Sequence, residues 1–550
     1  MTHRFLLACF LVIVALPTGL RAQQNALHWV FFTDKGNWQQ HEPTDFLSPA
    51  ALQRRQKAGI PLQRSDYPVA KSYLAGLRGI GIDVEDRSRW FNAALAQLTP
   101  EQIQRARALP YVRRVQPVRQ RLVRAADYPA PTEEGLTHRT QLNMLGMPED
   151  FHEKGHTGKD VRVAIFDDGF NGVDTLSAFA HIRQETRILG THDFVDETQD
   201  SIFRVGGHGT NVLSVMAARR EGELQGGSPD ASFFLLRTEE LSSETLQEES
   251  NWVLAAEWAD SAGAQIFQTS LGYTAFDDST QDHSYLEMDG NTALITRAAD
   301  MAAGKGILVV NAAGNLGSSA WEIVSAPADG DSVLTVGGVT DGRIKPEVVA
   351  LATGTHVLHR GGMVSPSMGT SFASPLIASY AACLKSAQPE LPATTLYQSI
   401  VWSGDQFRNP DNDRGYGLPN AARSLRLSKF LKTQSNPDRL AAGQSGGTQA
   451  FDIASRALTT EESHTLFLPR KLLAQYFQTE DSVVVRLLYK DKRELATATL
   501  YPRMLHPVFQ WMPLRFEDVK ARYLRKNRRR LNKGKDEVLN YEITGKEAQR

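Results

Sequence analysis

The sequence feature that most constrains the fold is a long alternation of strand-like and helical segments between residues 160 and 425. VRVAIF, SFFLLR, AQIFQTSL and ILVVNAAG are short apolar runs, and they alternate with helical stretches such as ESNWVLAAEWADSAG and NTALITRAADMAAGKG. The strand-like runs are apolar on both faces, which indicates a parallel sheet covered by helices on each side. The sequence therefore predicts an α/β fold, a three-layer αβα domain with a mostly parallel sheet.

A smaller unit with a different pattern precedes this domain, between residues 28 and 118. HWVFF at 28–32 is strand-like, and the stretch from Ser48 to Gly59 has a helix cap at one end and a helix stop at the other. Thr99 and Gln102 are spaced as a capping box for a further helix, and a last strand runs over 111–118. This order predicts a small α+β, ferredoxin-like domain over residues 23–118.

The remaining segments read as a leader, two linkers and a terminal module. Residues 1–22 combine Arg4, an apolar run over 5–16 and Ala22, which is typical of a secretory signal peptide and too short to span a bilayer. Residues 119–140 and 431–450 lack periodicity and indicate linkers on either side of a domain over 141–430. Residues 451–550 predict a small β-rich module with a basic helical tail over 518–550.

Composition excludes several classes of partner and cross-link. The chain has 61 Lys and Arg against 62 Asp and Glu, a net charge of -1 that gives no reason to expect a nucleic-acid partner. No stretch beyond the leader is apolar for 18 residues, so we expect no membrane association once the leader is removed. Of the two cysteines, Cys9 lies in the leader, so Cys383 has no partner for an intrachain disulfide and is expected to be buried.

Three segments carry residues for nucleophilic catalysis. Asp167 ends the strand of VRVAIFDDGF, His208 opens the helix of GGHGTNVLSVMAA, and Ser371 begins the helix of GTSFASP. A serine hydroxyl needs a histidine to take its proton, and the histidine needs an acid to hold its tautomer. A fourth segment, VVNAAGN, offers the side-chain amide of Asn315 as a donor to a developing oxyanion. Each residue alone could be a turn or helix cap, but four coincidences in this order are not expected.

The order Asp, His, Asn, Ser is similar to that of the subtilisin family, as are the segments VAIFDDG, HGT, NAAGN and GTSFASP. GYGLPNA at 415–421 also resembles the segment that ends the family's catalytic domain, so the resemblance covers roughly 140–425. It implies serine endopeptidase activity without a cofactor. It also implies two groups of substrate-binding residues, one pairing with bound peptide and both lining the pocket for the side chain before the scissile bond: Ser270, Leu271 and Gly272, and Ala312, Ala313 and Gly314.

The N-terminal unit resembles the family's inhibitory propeptide, in the arrangement of Bacteroidetes-type members. The resemblance thus implies a bacterial zymogen, exported to the medium, the periplasm or the cell envelope, that cuts itself between residues 118 and 150. Its expected partners are its own propeptide and protein or peptide substrates, and it is expected to act as a monomer. Structural calcium occurs in the family, but no motif here carries over a ligand set, and no metal ligand is predicted.

Several positions depart from the family. Asp168 stands where Ser or Thr is usual, and it could raise the pKa of His208; Asn211 stands where His is usual. Between Val339 and Arg343 the chain lacks a segment that the family usually has. The missing segment and the Asp168 change motivate an alternative hypothesis, a degenerate member that binds peptides or partners without turnover. The two hypotheses differ in one respect, because only an enzyme needs Ser371 to remove its own propeptide.

Other motifs have structural interpretations. His152 to His156 match the zinc-protease pattern HExxH, but Gly155 interrupts it, so we interpret the stretch as a turn. GQSGG at 443–447 matches GxSxG without the preceding apolar strand that a nucleophile elbow needs, which favours a flexible joint. The basic run 525–530 is interpreted as a solvated helix face.

Overall fold

The computed structural model describes residues 25–118 and 137–434, with short gaps at 197, 199–200, 241–244, 277–281, 318, 320, 338–344 and 408–409, together with five later strands. The predicted signal peptide, the first linker up to residue 136 and most of the second linker lie outside the described residues. So do the segment at 339–343, the GQSGG motif and the basic run 525–530. No helix in the described part of the chain is long and apolar enough to cross a membrane.

The N-terminal unit is a four-stranded antiparallel sheet with three helices. The strands lie in the order β2-β3-β1-β4, which confirms the predicted ferredoxin-like arrangement. Its elements are β1 (Ala26–Phe32), α1 (Pro49–Ala58), α2 (Lys71–Gly79), β2 (Asp86–Ser88), β3 (Ala93–Leu98), α3 (Pro100–Arg107) and β4 (Val112–Val118).

The helix boundaries of this unit follow from local capping. The Ser48 side chain accepts a hydrogen bond from the Ala51 amide at the start of α1, and Gly59 ends the helix in the left-handed region at φ 65°. Thr99 and Gln102 form the predicted capping box at the start of α3.

The central domain is built on a six-stranded sheet in which every neighbouring pair is parallel, in the order β12-β11-β10-β5-β9-β6. The strands of this sheet are β5 (Arg162–Asp167), β6 (Ile188–Asp193), β9 (Ser232–Arg237), β10 (Ile266–Thr269), β11 (Leu308–Ala312) and β12 (Leu334–Val336). The domain also has two separate antiparallel pairs, β7 (Arg219–Arg220) with β8 (Leu224–Gln225) and β13 (Thr353–Leu358) with β14 (Val364–Met368). Its helices are α4 (Thr140–Asn143), α5 (Met147–Asp150), α6 (Ala180–Gln184), α7 (His208–Ala217), α8 (Leu246–Ala262), α9 (Leu294–Gly304), α10 (Thr370–Ala387), α11 (Ala393–Val401) and α12 (Ala421–Gln434).

Helices cover both faces of this sheet, as the doubly apolar strands predict. Val163 and Ile165 of β5 join the core formed with α7 and α10. The alternate residues, Ala164 and Phe166, join the core formed with α8 and α9. Because side chains alternate along a strand, one short apolar run serves two helical layers.

The N-terminal sheet packs against the α8 and α9 layer. Trp29 and Phe31 of β1 are buried in the same apolar cluster as Trp252 of α8, whereas Val30 and Phe32 face the N-terminal unit's own core. The strand alternation therefore divides β1 between two cores, and the N-terminal unit covers the outer surface of the central domain's helices.

The C-terminal region contains β15 (His464–Pro469), β16 (Ser482–Leu488), β17 (Glu494–Leu500), β18 (Trp511–Phe516) and β19 (Asn540–Lys546). The pairs are antiparallel, which fits the predicted β-rich module. The prediction of a helical tail is wrong at 540–546, where β19 pairs with β16 along its full length. Tyr541 and Ile543 alternate with polar residues there, a period-two pattern that suits a strand paired with β16.

Candidate active site

Asp167 and His208 lie in contact at the ends of their elements. Asp167 is the last residue of β5 and is fully buried, and His208 is the first residue of α7. The Asp167 Oδ1 atom is 2.8 Å from His208 Nδ1. A carboxylate at Nδ1 fixes the imidazole tautomer and leaves Nε2 as the nitrogen that can accept a proton.

The Asp167 carboxylate is held in an unfavourable environment for its charge. Burial raises its pKa to about 6, and the adjacent His208 imidazole opposes that rise. Among the described residues no group donates a hydrogen bond to its Oδ2 atom. The charge on Asp167 therefore depends chiefly on the imidazole that it orients.

The predicted nucleophile, Ser371, is the second residue of α10 and is bound to the end of β10. Its Oγ donates to the Ser270 carbonyl at 3.3 Å, and the Ser270 Oγ donates to the Ser371 carbonyl at 2.7 Å. The helix that begins here is 18 residues long, so its terminal amides and dipole favour negative charge next to Ser371. This environment suits an oxyanion.

Asn315 is oriented by Thr370, which the sequence analysis did not single out. The Thr370 amide and hydroxyl both donate to Asn315 Oδ1 at 3.0 Å, which leaves Nδ2 as the outward donor. Gly369 precedes Thr370 with a φ of 137°, a backbone conformation that favours glycine. The Thr before Ser in GTSFASP was the available signal.

The two groups of predicted substrate-binding residues leave the same edge of the sheet. Ser270, Leu271 and Gly272 follow β10, and Ala312 ends β11 before Ala313 and Gly314. β10 and β11 are parallel neighbours. Their ends therefore flank the start of α10, where the carboxyl edge of an α/β sheet forms its crevice.

The Asp168 carboxylate caps the start of α7, a role that the sequence analysis did not predict. Its nearly buried carboxylate accepts hydrogen bonds from the backbone amides of Gly207, His208 and Gly209 at 3.0–3.3 Å, at the start of α7. Its own amide donates to Asp167 Oδ1 at 2.9 Å. Asp168 thus positions both Asp167 and His208.

We expect Asp168→Asn to lower kcat/KM about tenfold, the equivalent of about 1.4 kcal/mol lost from this positioning. An anion near the imidazole favours its protonated form, so its removal should move the acidic limb of the pH–rate profile to lower pH. Peptide hydrolysis measured from pH 5 to 9 checks both effects. Asp174→Asn, which removes a carboxylate paired with Arg204 instead, is the control. An unchanged kcat/KM in Asp168→Asn would exclude the positioning role.

The stretch from His152 to His156 and the single described cysteine have structural roles. His152 to Lys154 form a single 3-10 turn that Gly155 ends in the left-handed region, and His152 Nε2 is 2.7 Å from the Gly227 carbonyl. Within the described ranges no group of three His, Cys, Asp or Glu side chains could hold a metal ion. Cys383 is buried, and burial raises the pKa of its thiol.

Two parts of the chain match families of known proteins. Residues 27–131 match the Peptidase S8 propeptide domain of Bacteroidota, and residues 158–418 match the Subtilase family. Subtilisin DY of Bacillus licheniformis is 31% identical over 271 residues, which are 46% of this chain and 88% of that protein. Subtilisin of Bacillus pumilus is 28% identical over 43% of this chain and 81% of that protein. The crystal structure of MycP1 with the N-terminal propeptide removed is 22% identical, covering 52% of this chain and 96% of that one, with a TM-score of 0.41.

Other relatives are matched over less of their length. The chain spans 58% of subtilisin amylosacchariticus of Bacillus subtilis subsp. amylosacchariticus, at 29% identity. The propeptide and subtilase matches occur in the order that a zymogen requires. From the match to subtilisin DY and the two domain matches, this chain belongs to the subtilase family of serine-type endopeptidases.

Proposed function

We propose that this protein is an exported zymogen whose Ser371 attacks peptide bonds, with His208 as general base and then acid. Asp167 holds the imidazole, and Asn315 and the first amides of α10 stabilise the oxyanion. The observation that carries the proposal is the convergence of these side chains at one sheet edge, with Asp167 and His208 2.8 Å apart. The mechanism is acyl transfer through an ester on Ser371.

The proposed substrates are proteins or peptides in extended conformation. Residues 270–272 continue beyond β10, next to Ser371, and their backbone can pair with an added strand. A simple ester substrate has no extended peptide backbone to pair with these residues, so this feature favours an endopeptidase over an esterase.

The proposed zymogen state rests on how the N-terminal unit covers the central domain. β1 buries Trp29 and Phe31 against the α8 and α9 layer. The N-terminal unit can therefore remain bound after the linker at 119–140 is cut. The proposed place of action is outside the cytoplasm, in the medium, the periplasm or the cell envelope.

The first test compares the wild type with Ser371→Ala during export, by intact mass. We expect the wild type to lose its N-terminal unit and Ser371→Ala to stay joined to it, because only the wild type has a nucleophile. Ser177→Ala, at an exposed serine, is the matched control and should be processed normally. If the folded wild type also stays unprocessed, self-maturation is wrong and the peptide-binding alternative takes its place.

A further inference from the structure

A cavity of about 470 Å³ lies between α1 of the N-terminal unit and the central domain. Gln53, Lys57 and Ala58 of α1 form one wall, and the starts of β5 and β10 and the end of α10 form the other. Asp167 ends β5, so the cavity and the candidate active site lie at opposite edges of the sheet. The cavity is complete only while the N-terminal unit is bound to the central domain.

The walls of this cavity carry more positive than negative charge. Arg54 lines it but is paired with the buried Asp260, and burial lowers the pKa of His156, which is therefore neutral at pH 7. The other charged side chains are four basic and two acidic ones: Lys57, Lys159, Arg162, Lys385, Asp160 and Glu390. An excess of positive charge around a partly enclosed space favours the binding of an anion.

Arg162 has hydrogen-bond donors that the protein itself does not use. The side chain is partly buried, and its Nε donates to the Gly263 carbonyl at 2.8 Å. Among the described residues, no other acceptor pairs with this guanidinium. Its two terminal nitrogens form a planar fork that matches two oxygens of one phosphate group. An anion in the cavity would supply these missing acceptors.

The lysines around Arg162 are incompletely neutralised. Lys57 Nζ is 2.9 Å from Glu390 Oε1, and the same carboxylate is the group that favours the charge on Lys385. Burial, together with the positive charges of Lys57 and Arg162, lowers the pKa of Lys385 to about 8. These three cations are therefore close enough to repel one another, and a dianion would relieve that repulsion.

We propose that this cavity binds a phosphate group, free or carried on a small organic molecule, between Arg162, Lys159 and Lys385. Lys159 is exposed, and no ion pair joins it to another described residue, so its ammonium is available to the anion. The cavity has the size of small-molecule sites, which is about 300–1,000 Å³. The buried side chains of Leu391 and Leu396 give it an apolar floor for an organic part.

The bound anion would hold the N-terminal unit in place, because α1 forms one wall of its site. A ligand that binds only the joined form shifts the equilibrium toward that form. At a concentration of about 100 times its Kd, the shift is about 100-fold. The site does not depend on catalysis by Ser371, so this inference goes beyond the proposed function.

The test is isothermal titration calorimetry of the full-length Ser371→Ala protein with inorganic phosphate and with phenyl phosphate, at an ionic strength held constant with chloride. We expect a Kd below about 1 mM for at least one of them. Lys159→Ala and Arg162→Gln should each weaken binding about tenfold or more, because each removes a charge-assisted hydrogen bond. Tighter binding of phenyl phosphate would support an ester as the ligand, and equal binding would support free phosphate.

Lys71→Ala is the matched control, because it makes the same change at an exposed lysine of α2 and should bind like the parent protein. Bound phosphate should also raise the urea concentration at which the N-terminal unit detaches, in the parent and in Lys71→Ala but not in Lys159→Ala.

Absence of binding of both probes up to about 10 mM would overturn the proposal. An affinity unchanged in both Lys159→Ala and Arg162→Gln would also overturn it, as would phosphate binding that leaves the detachment of the N-terminal unit unaffected. If a chain that keeps Ser371 binds phosphate but never cleaves itself, the proposed function fails and this site remains.

Discussion

Replacing Asp167 with asparagine is expected to slow self-processing about ten-thousand-fold. The introduced side-chain amide would offer His208 Nδ1 an oxygen or an N–H, but it would not stabilise the imidazolium or reliably hold the tautomer that leaves Nε2 able to accept the Ser371 proton. The measurement is the fraction of cleaved chain against time by intact mass, for the wild type and the variant refolded in separate, parallel reactions.

The same substitution should not destabilise the fold. Because burial raises the pKa of Asp167 from 3.8 to about 6, the folded state binds a proton more tightly than the unfolded state. This carboxyl's contribution to stability is therefore fully present below about pH 4 and is lost as the pH rises through 6. Asp167→Asn lacks that loss, so its free energy of unfolding relative to the wild type should rise between pH 4 and 7. Urea unfolding at several pH values, in a Ser371→Ala background, measures this.

Asp174→Asn is the control for both measurements, because it removes a carboxylate that pairs with Arg204. It should be processed at the wild-type rate. Rapid processing by Asp167→Asn would show that another group orients the imidazole. A variant that is destabilised equally at all pH values would show that the Asp167 charge is not the source of the pH dependence.

The second large effect is expected at Asp260 of the central domain, which forms ion pairs with three arginines of the N-terminal unit. Asp260 on α8 is fully buried and pairs with Arg54, with Arg55 at 2.9 Å and with Arg89 at 2.8 Å. Arg54 and Arg55 are themselves 8% and 2% exposed. Asp260→Ala would leave buried guanidinium groups without their common counter-charge, which costs about 3–5 kcal/mol.

The experiment measures urea unfolding of the Asp260→Ala variant in the Ser371→Ala background, where the N-terminal unit stays covalently attached. We expect that unit to detach from the central domain at a much lower urea concentration than in Ser371→Ala alone. Tryptophan fluorescence detects this, because Trp29 and Trp90 become exposed to water. In a background with Ser371, the cleaved N-terminal unit should separate from the Asp260→Ala variant on gel filtration. It should stay bound to the protein that keeps Asp260.

The same interface offers a matched control. Lys57 of the N-terminal unit pairs with Glu390 of the central domain at 2.9 Å, but these side chains are 43% and 53% exposed. Water screens this pair, so Glu390→Ala should cost no more than about 1 kcal/mol. If Asp260→Ala costs no more than Glu390→Ala, the buried cluster does not hold the N-terminal unit in place.

Local sequence patterns predicted most of the elements and the four residues proposed for catalysis. The apolar run before Asp167 and the glycine before His208 mark a strand end and a helix start, and both occur where expected. These signals are local, since strand length, alternation and caps depend on residues within a few positions of each other. The tail at 540–546 shows the limit of this reasoning, because pairing with a distant strand decided its structure.

The sequence by itself determined the element order and the parallel sheet and supplied the residues proposed for catalysis, because periodicity and capping act over short distances. Only the tertiary structure decided that Asp168 binds the amides at the start of α7 and that Thr370 orients Asn315. It also decided that Asp260 is shared by arginines about 200 positions away. These contacts join segments distant in the chain, and their geometry depends on how whole elements pack, which no local pattern specifies.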